Sequence, residues 1–280
     1  MRFAYADHTR QTWQRRILGP TLRMLPIVGR TRCRTPLTGG APSCTPLQRG
    51  LPVMTLTVAV PVVGPPAAGK TTLTARLGRA PGCAVFRLRE HVPETILAAT
   101  ATSAERLGWI DDFNVVTALR GYLDTTVKGD QTSTVFFDNF PGTGTQVRLF
   151  LAALEQHAPG CTVHAVELAS EVTTLYRRAF QRRVCHRCER DPIHDPRLPA
   201  EPSAEDAQRC ARCGGILHPR RGDAPRLLRA RLQRYRQTAD GIRQAFAEAG
   251  VAVTRLNSGT SPEQTAQAVT ALLTSRIRQL

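Results

Sequence analysis

From residue 54 onward the apolar positions repeat in a fixed order: a short run rich in β-branched residues, then a longer stretch with helical spacing. Residues 56–63 (LTVAVPVV) open the series as an unbroken apolar run, which suits a strand buried on both faces. Pro61 interrupts that run with a residue that has no N–H for a ladder, and it predicts a local irregularity. A helix is expected from Lys70 and a strand over residues 84–88. Helical spacing follows over 93–106 and 111–125. The segment STVFFD makes a strand ending at Asp138, and a helix over Gly144–His157 comes next. A strand over 162–168 and a helix beginning at Ser170 lead into a cysteine-rich stretch that breaks the alternation. A long helix over 224–249, a strand over 251–257 and a helix from Pro262 close the chain. Such alternation predicts an α/β fold, a parallel sheet of about five strands with helices on both faces. Ligands in sheets of this kind bind beyond the carboxyl ends of the strands.

The first 53 residues have a different character. They hold Arg2, Arg10, Arg15, Arg16, Arg23, Arg30, Arg32, Arg34 and Arg49 against a single acid, Asp7, with repeated Pro and Gly from Gly19. No apolar face persists, so a disordered basic extension is expected over 1–53 and the folded domain over 54–280. Three origins fit: a true start at Met54 with upstream codons wrongly included, an organelle transit peptide, or a genuine basic arm.

At 280 residues the chain has room for one large domain, or one with an insertion, and 41% apolar residues exclude disorder throughout. A net charge of +16 suits nucleic acid, a membrane surface or a phosphorylated small molecule. Lys70 and Lys128 are the only lysines, however, and a GC-rich coding genome yields the same arginine skew, so charge alone selects no partner. No apolar run approaches the roughly 20 residues that cross a bilayer. Cys33, Cys44, Cys83 and Cys161 are scattered, and the last two suit small core positions. With no disulfide framework evident, a reducing, cytoplasmic setting is expected.

Chemistry concentrates directly after the first strand, in GPPAAGKTT. Gly64, Gly69, Lys70 and Thr71 satisfy the G-x-x-x-x-G-K-[ST] pattern of a phosphate loop. Small residues, here including Pro66, Ala67 and Ala68, let backbone N–H groups turn toward phosphate oxygens, and the following helix adds its positive end. Lys70 would reach the β- and γ-phosphates of a nucleoside triphosphate, and a threonine hydroxyl would support Mg²⁺. A glycine-rich turn without ligand is the bland alternative. Further on, Cys185-x-x-Cys188 and Cys210-x-x-Cys213, with 21 residues between the pairs, have the spacing of a closed four-thiolate zinc site that is structural rather than catalytic. His186 and His194 could substitute for one of these ligands but are read as surface residues.

Several further segments resemble adenylate kinases, in order and in spacing. DNFPGTGTQ (residues 138–146) is similar to that family's D-G-F-P-R-T…Q segment. YRRAFQRRVCHRC resembles the entry to its lid, RRGD (220–223) and LLRARLQRY (227–235) the exit and following helix, and LNSGT (256–260) the loop beside the ATP base. The resemblance covers residue 54 to the C-terminus. It implies a nucleoside monophosphate kinase using ATP with Mg²⁺, with a helical monophosphate-binding segment over 86–125 and a zinc lid over 184–219. It assigns Arg182, Arg220 and Arg231 to the phosphates, Arg178 and Gly259 to the neighbourhood of the ATP base, and Gln146 to the base of the monophosphate. A solvated Gln146 is the alternative there. Asp138 ends a strand opposite the phosphate loop, where a carboxylate can hold Mg²⁺ through water. Arg229 lies about 200° from Arg231 around a helix and reads as solvated. A monomer without nucleic-acid or membrane partners is expected.

The match weakens on the acceptor side. The family's arginine after F-P is Gly142, and its S-T-G-D-x-x-R segment is replaced by FRLREHVP, so that Leu88 and Pro93 stand at its Thr and Arg. Arg87 and Arg89 arise nearby and could supply the lost charge. Thr71 stands where the family has Gly, with Thr72 at its Thr. Three readings follow: an adenylate kinase with rearranged contacts, a kinase for another monophosphate or phosphorylated metabolite, or an ATP-binding regulator with little transfer. A rival from another class is a zinc-ribbon nucleic-acid-binding ATPase, opposed by 5% aromatic content and by the ribbon's place inside the fold.

Overall fold

The computed structural model describes residues 56–101, 109–128, 131–189 and 196–277. The extension 1–53, His194 and the second half of the helix expected over 93–106 lie outside the described residues. β1 (Val58–Val63) is buried along its whole length between β3 (Thr134–Asp138) and β5 (Ala165–Ala169). β2 (Cys83–Phe86) flanks β3, β8 (Val253–Asn257) flanks β5, and every pairing is parallel. The order β2-β3-β1-β5-β8 is the parallel sheet the alternation predicted.

One expected strand is divided. The run over 162–168 is interrupted at His164, leaving a short β4 (Thr162–Val163) before β5, although the register is the same on both sides (Val58 opposite Thr162, Val62 opposite Val166). The Ala59 carbonyl accepts from His164 N–H at 2.9 Å. The next rung toward this neighbour falls on Pro61, which has no N–H to give. The irregularity foreseen from Pro61 thus falls in its partner strand, while β1 itself runs unbroken.

Alternation along β1 sends side chains to two cores. Ala59 and Val63 join Phe86, Phe137, Phe150 and Phe246 on one face, under α3 (Asp112–Lys128), α4 (Gly144–His157) and α6 (Pro225–Glu248). Val60 and Val62 join Leu73, Leu175, Leu228 and Val269 on the other, under α1 (Lys70–Leu77), α5 (Val172–Gln181) and α7 (Pro262–Ile277), with the start of α6. Cys83 and Cys161 are half-buried at the margins of these cores rather than inside them. The short α2 (Glu94–Ala101) follows a 3-10 turn at Leu88–Glu90.

Two local features set the position of the site. Thr143 caps α4 by accepting from the Gln146 N–H at 3.1 Å, which fixes the start of that helix. Its first residue, Gly144, packs so closely on α6 that a β-carbon there would stand 2.6 Å from the Gly241 carbonyl oxygen. Beyond α5 the chain forms a two-stranded antiparallel neck, β6 (Arg183–Val184) with β7 (His218–Pro219), and the cysteine segment lies between them in sequence. Among the described residues no helix is long and apolar enough to cross a membrane.

Candidate functional site

The phosphate-type loop joins β1 to α1 at the carboxyl edge of the sheet. Gly64 has φ 144°, and a β-carbon on it would meet the Leu168 carbonyl oxygen of β5 at 2.5 Å, so only glycine fits both the backbone and the space. Lys70, the first residue of α1, folds back and donates to the carbonyls of Gly64 and Pro65, both at 2.7 Å. Burial draws its ammonium down from 10.5 to about 7; Asp138 opposes that shift, whereas Arg231, Arg182 and Arg220 add to it. Pro66 and Ala67 are half-buried on the loop, Ala68 is buried, and Gly69 is exposed at the helix start.

Asp138 ends β3 directly opposite Val62. Thr71, rather than the half-buried Thr72, turns its hydroxyl toward it and donates to Oδ1 at 3.3 Å. Burial pushes the Asp138 carboxyl up, while the Thr71 hydrogen bond and Lys70 pull it down. Arg87 Nε stands 3.6 Å from the other carboxylate oxygen, and the same guanidinium lies 3.5 Å from Glu90.

The arginines converge from three elements. Arg182, at the end of α5, makes a two-pronged pair with buried Asp223, Nε to Oδ2 and Nη2 to Oδ1 both at 2.7 Å. Arg231 on α6 reaches the same carboxylate at 3.6 Å and donates to the Gly222 carbonyl at 2.9 Å. Burial and the facing Arg220 draw Arg231 down to about 10, which still leaves it charged at neutral pH. Arg220 lies within electrostatic range of Lys70, Asp138 and Arg231, and Arg89 within range of Arg231. Arg229 is exposed, as its helical angle predicted. Arg178 donates to the Thr260 carbonyl at 3.2 Å, beside Gly259, whose N–H is held by Asn257 Oδ1 at 2.8 Å.

At the start of α4, Gln146 is buried, which excludes its solvated alternative. Its Oε1 accepts from the Gly142 N–H at 2.9 Å and its Nε2 donates to Asp112 Oδ1 at 3.2 Å. Trp109 crowds Gly142 from the side.

In the cysteine segment, Cys185, Cys188, Cys210 and Cys213 bring their sulfurs within 4.8 Å of one another. Three of the separations are 3.5, 3.7 and 3.3 Å. A tetrahedral zinc with bonds near 2.3 Å needs sulfurs about 3.8 Å apart, so the four thiols fit that ion and leave no position open on it. Gly214, at φ 68°, turns the second pair, and its N–H bonds the Cys210 carbonyl at 2.8 Å. His186 is half-buried against His218, with ring centroids 5.6 Å apart, and stands outside the sulfur cluster.

No family model matches the chain. Relatives that align with it include the adenylate kinases of Treponema pallidum subsp. pallidum and of the Nichols strain of Treponema pallidum. Each is 32% identical over 196 residues, covering 67% of this chain and 85% of the relative. The chain belongs to the adenylate kinase family. It is therefore a nucleotide-binding phosphotransferase, and its parallel sheet, glycine loop and four-cysteine cluster agree with that family.

Of the residues picked out from the sequence, this adenylate kinase homologue gathers Lys70, Asp138, Arg182, Arg220 and Arg231 in one cluster, with Arg87 against Asp138. Arg178 and Gly259 form a separate group with the Thr260 loop. Two residues of this region escaped the sequence reading. Asp223 stood inside the quoted RRGD motif, where an acid close to two arginines was a faint hint, and its burial between Arg182 and Arg231 appears only in the fold. Trp109 gave no signal, because its partner Gly142 lies in another element.

Proposed function

We propose that the protein transfers the γ-phosphoryl group of ATP reversibly to a nucleoside monophosphate, with AMP as the foremost acceptor. The observation that carries this reading is the cluster around Lys70, where one carboxylate and three arginines meet beyond the ends of β1 and β3. An acceptor phosphate is already a nucleophile, so transfer needs alignment and charge stabilisation more than acid–base chemistry. A cleft rich in guanidinium groups is suited to that task.

In this scheme the backbone of residues 64–72 cradles the triphosphate, and Lys70 exchanges the Gly64 and Pro65 carbonyls for β- and γ-phosphate oxygens. Asp138 and Thr71 would hold Mg²⁺, which supplies charge neutralisation when bound. Arg178 and the Gly259 loop flank the ATP base. Arg182, Arg220 and Arg231 neutralise the transferred group, and Arg87 and Arg89 hold the acceptor phosphate beside the 86–125 segment. The zinc-bearing segment 184–219 acts as a lid whose closure excludes water and suppresses hydrolysis. The scheme requires no nucleic acid and no second subunit.

A different monophosphate is the second reading. Two observations favour it: no side chain stands at Gly142, and both ends of the Gln146 amide are engaged by Gly142 and Asp112. The test is an acceptor screen, measuring ADP formed from MgATP with each common monophosphate. ADP formation that depends on an added monophosphate is expected, with AMP giving the highest kcat/KM. If ATP binds and no monophosphate supports transfer, the protein is a nucleotide-binding regulator instead.

A further inference from the structure

We propose that Trp109 is the specificity-determining platform of the acceptor site: the acceptor's base stacks on its indole, and Gly142 is glycine because the indole needs its space. This rests on the monophosphate kinase reading.

The steric relation is direct. A β-carbon on Gly142 would stand 2.8 Å from Trp109 Cη2 and 3.3 Å from Cζ3, closer than packed carbons approach. Gly142 is not one of the residues with positive φ, so its backbone does not demand glycine; a side chain there would instead have to displace the tip of the indole. Phe140, fully buried among Phe86, Phe137 and Phe150, anchors the loop that carries Gly142, so a shift of the loop would disturb that packing.

The ring's surroundings indicate what it would hold. It is only half-buried, unlike the aromatic residues of the core. Arg234 sits over it, with the guanidinium carbon 5.4 Å from the ring centroid, a cation–π contact that orients the indole. Arg234 lies one helical turn from Arg231, a member of the arginine cluster built around Lys70, so one helix carries both the indole's cation and a phosphate-facing arginine. A flat heterocycle joined to a phosphate matches both halves of this surface: ring on indole, anion toward the guanidinium groups. The Gln146 amide spends one acceptor position on Gly142 and one donor on Asp112, so stacking carries a larger share of base recognition and favours the larger purines.

The chain has two tryptophans, so a Trp13→Phe background leaves Trp109 as the sole indole emitter. In that protein AMP, GMP, CMP and UMP should quench the emission, purines most, and ribose 5-phosphate should not. Trp109→Ala should raise the acceptor KM about five- to a hundredfold, the range for losing one base–aromatic stack, with the KM for ATP unmoved. Trp109→Phe should restore most of the loss and shows that the fold tolerates the site. Unchanged acceptor KM in Trp109→Ala, or silent fluorescence with a monophosphate that turns over, overturns the proposal. Quenching without any turnover keeps the platform and removes the kinase reading; no quenching and no turnover removes both.

Discussion

Ala67 has a left-handed backbone, φ 65°, in the middle of the phosphate-type loop. An L side chain there costs about 1–2 kcal/mol, part of which glycine would give back through its freer unfolded chain. Ala67→Gly should therefore stabilise the protein by about 1 kcal/mol, visible as a melting temperature about 2–4 °C higher; a lower melting temperature would contradict the strain. Lys70 makes a second prediction. Its pKa falls from 10.5 unfolded to about 7 folded, so between those values the unfolded chain binds more protons. This group's contribution to stability rises with pH across that window, and its full cost is felt below pH 7. Phosphate oxygens favour the ammonium form, so ATP binding at pH 8 should take up a proton. Titration calorimetry in buffers of different ionisation heat should show that uptake, and Lys70→Ala should abolish it along with most turnover. The loop was legible from sequence because its chemistry is contiguous. Asp223 and Trp109 were not, because each acquires its meaning from residues distant in sequence that folding brings alongside.

The helices around the site follow the apolar spacing that predicted them, and their ends have local causes. α4 was expected over Gly144–His157 and occupies those residues, because Thr143 supplies a capping hydroxyl at one end and the apolar spacing stops at the other. α6 begins at Pro225, the residue best suited to a first helical position. What spacing could not show is where these two helices touch. Gly144 meets the Gly241 carbonyl, whereas Gly241 itself has open space where a β-carbon would go. Gly144→Ala should cost about 1–3 kcal/mol and, by shifting the start of α4 that carries Gln146, raise the acceptor KM more than the ATP KM. Gly241→Ala should be neutral or stabilising by up to about 1 kcal/mol, from helix propensity alone. Equal melting temperatures for the two variants would refute this asymmetry.

Across the whole molecule, two extended apolar cores hold the sheet, while the cysteine segment has little of its own. Its described buried cluster comprises Cys185, Cys210 and Leu217, with Ala200 and Cys213 packed on it. So small an apolar cluster cannot fix a segment of this length, and a metal bound by four thiolates would take its place. Elemental analysis should find about one zinc per chain, and Cys210→Ser should lose it, lower the melting temperature and slow transfer while ATP still binds. Metal-free protein with undiminished melting would end that assignment. The spacing of the cysteine pairs made the cluster readable in advance; the closing of β6 on β7, which sets it beside the arginines, was not.

Asp223 offers two oxygens in a plane and one negative charge, much as a phosphate edge does. Two guanidinium groups already lean on it, so an anion entering the cleft must displace a resident rival of similar shape. Chloride, or a lone sulfate that reaches the cluster at one place only, should compete poorly, whereas a chain of linked phosphates can replace the carboxylate at several contacts together. On the triphosphate reading, the buried acid would set a threshold that favours polyanions.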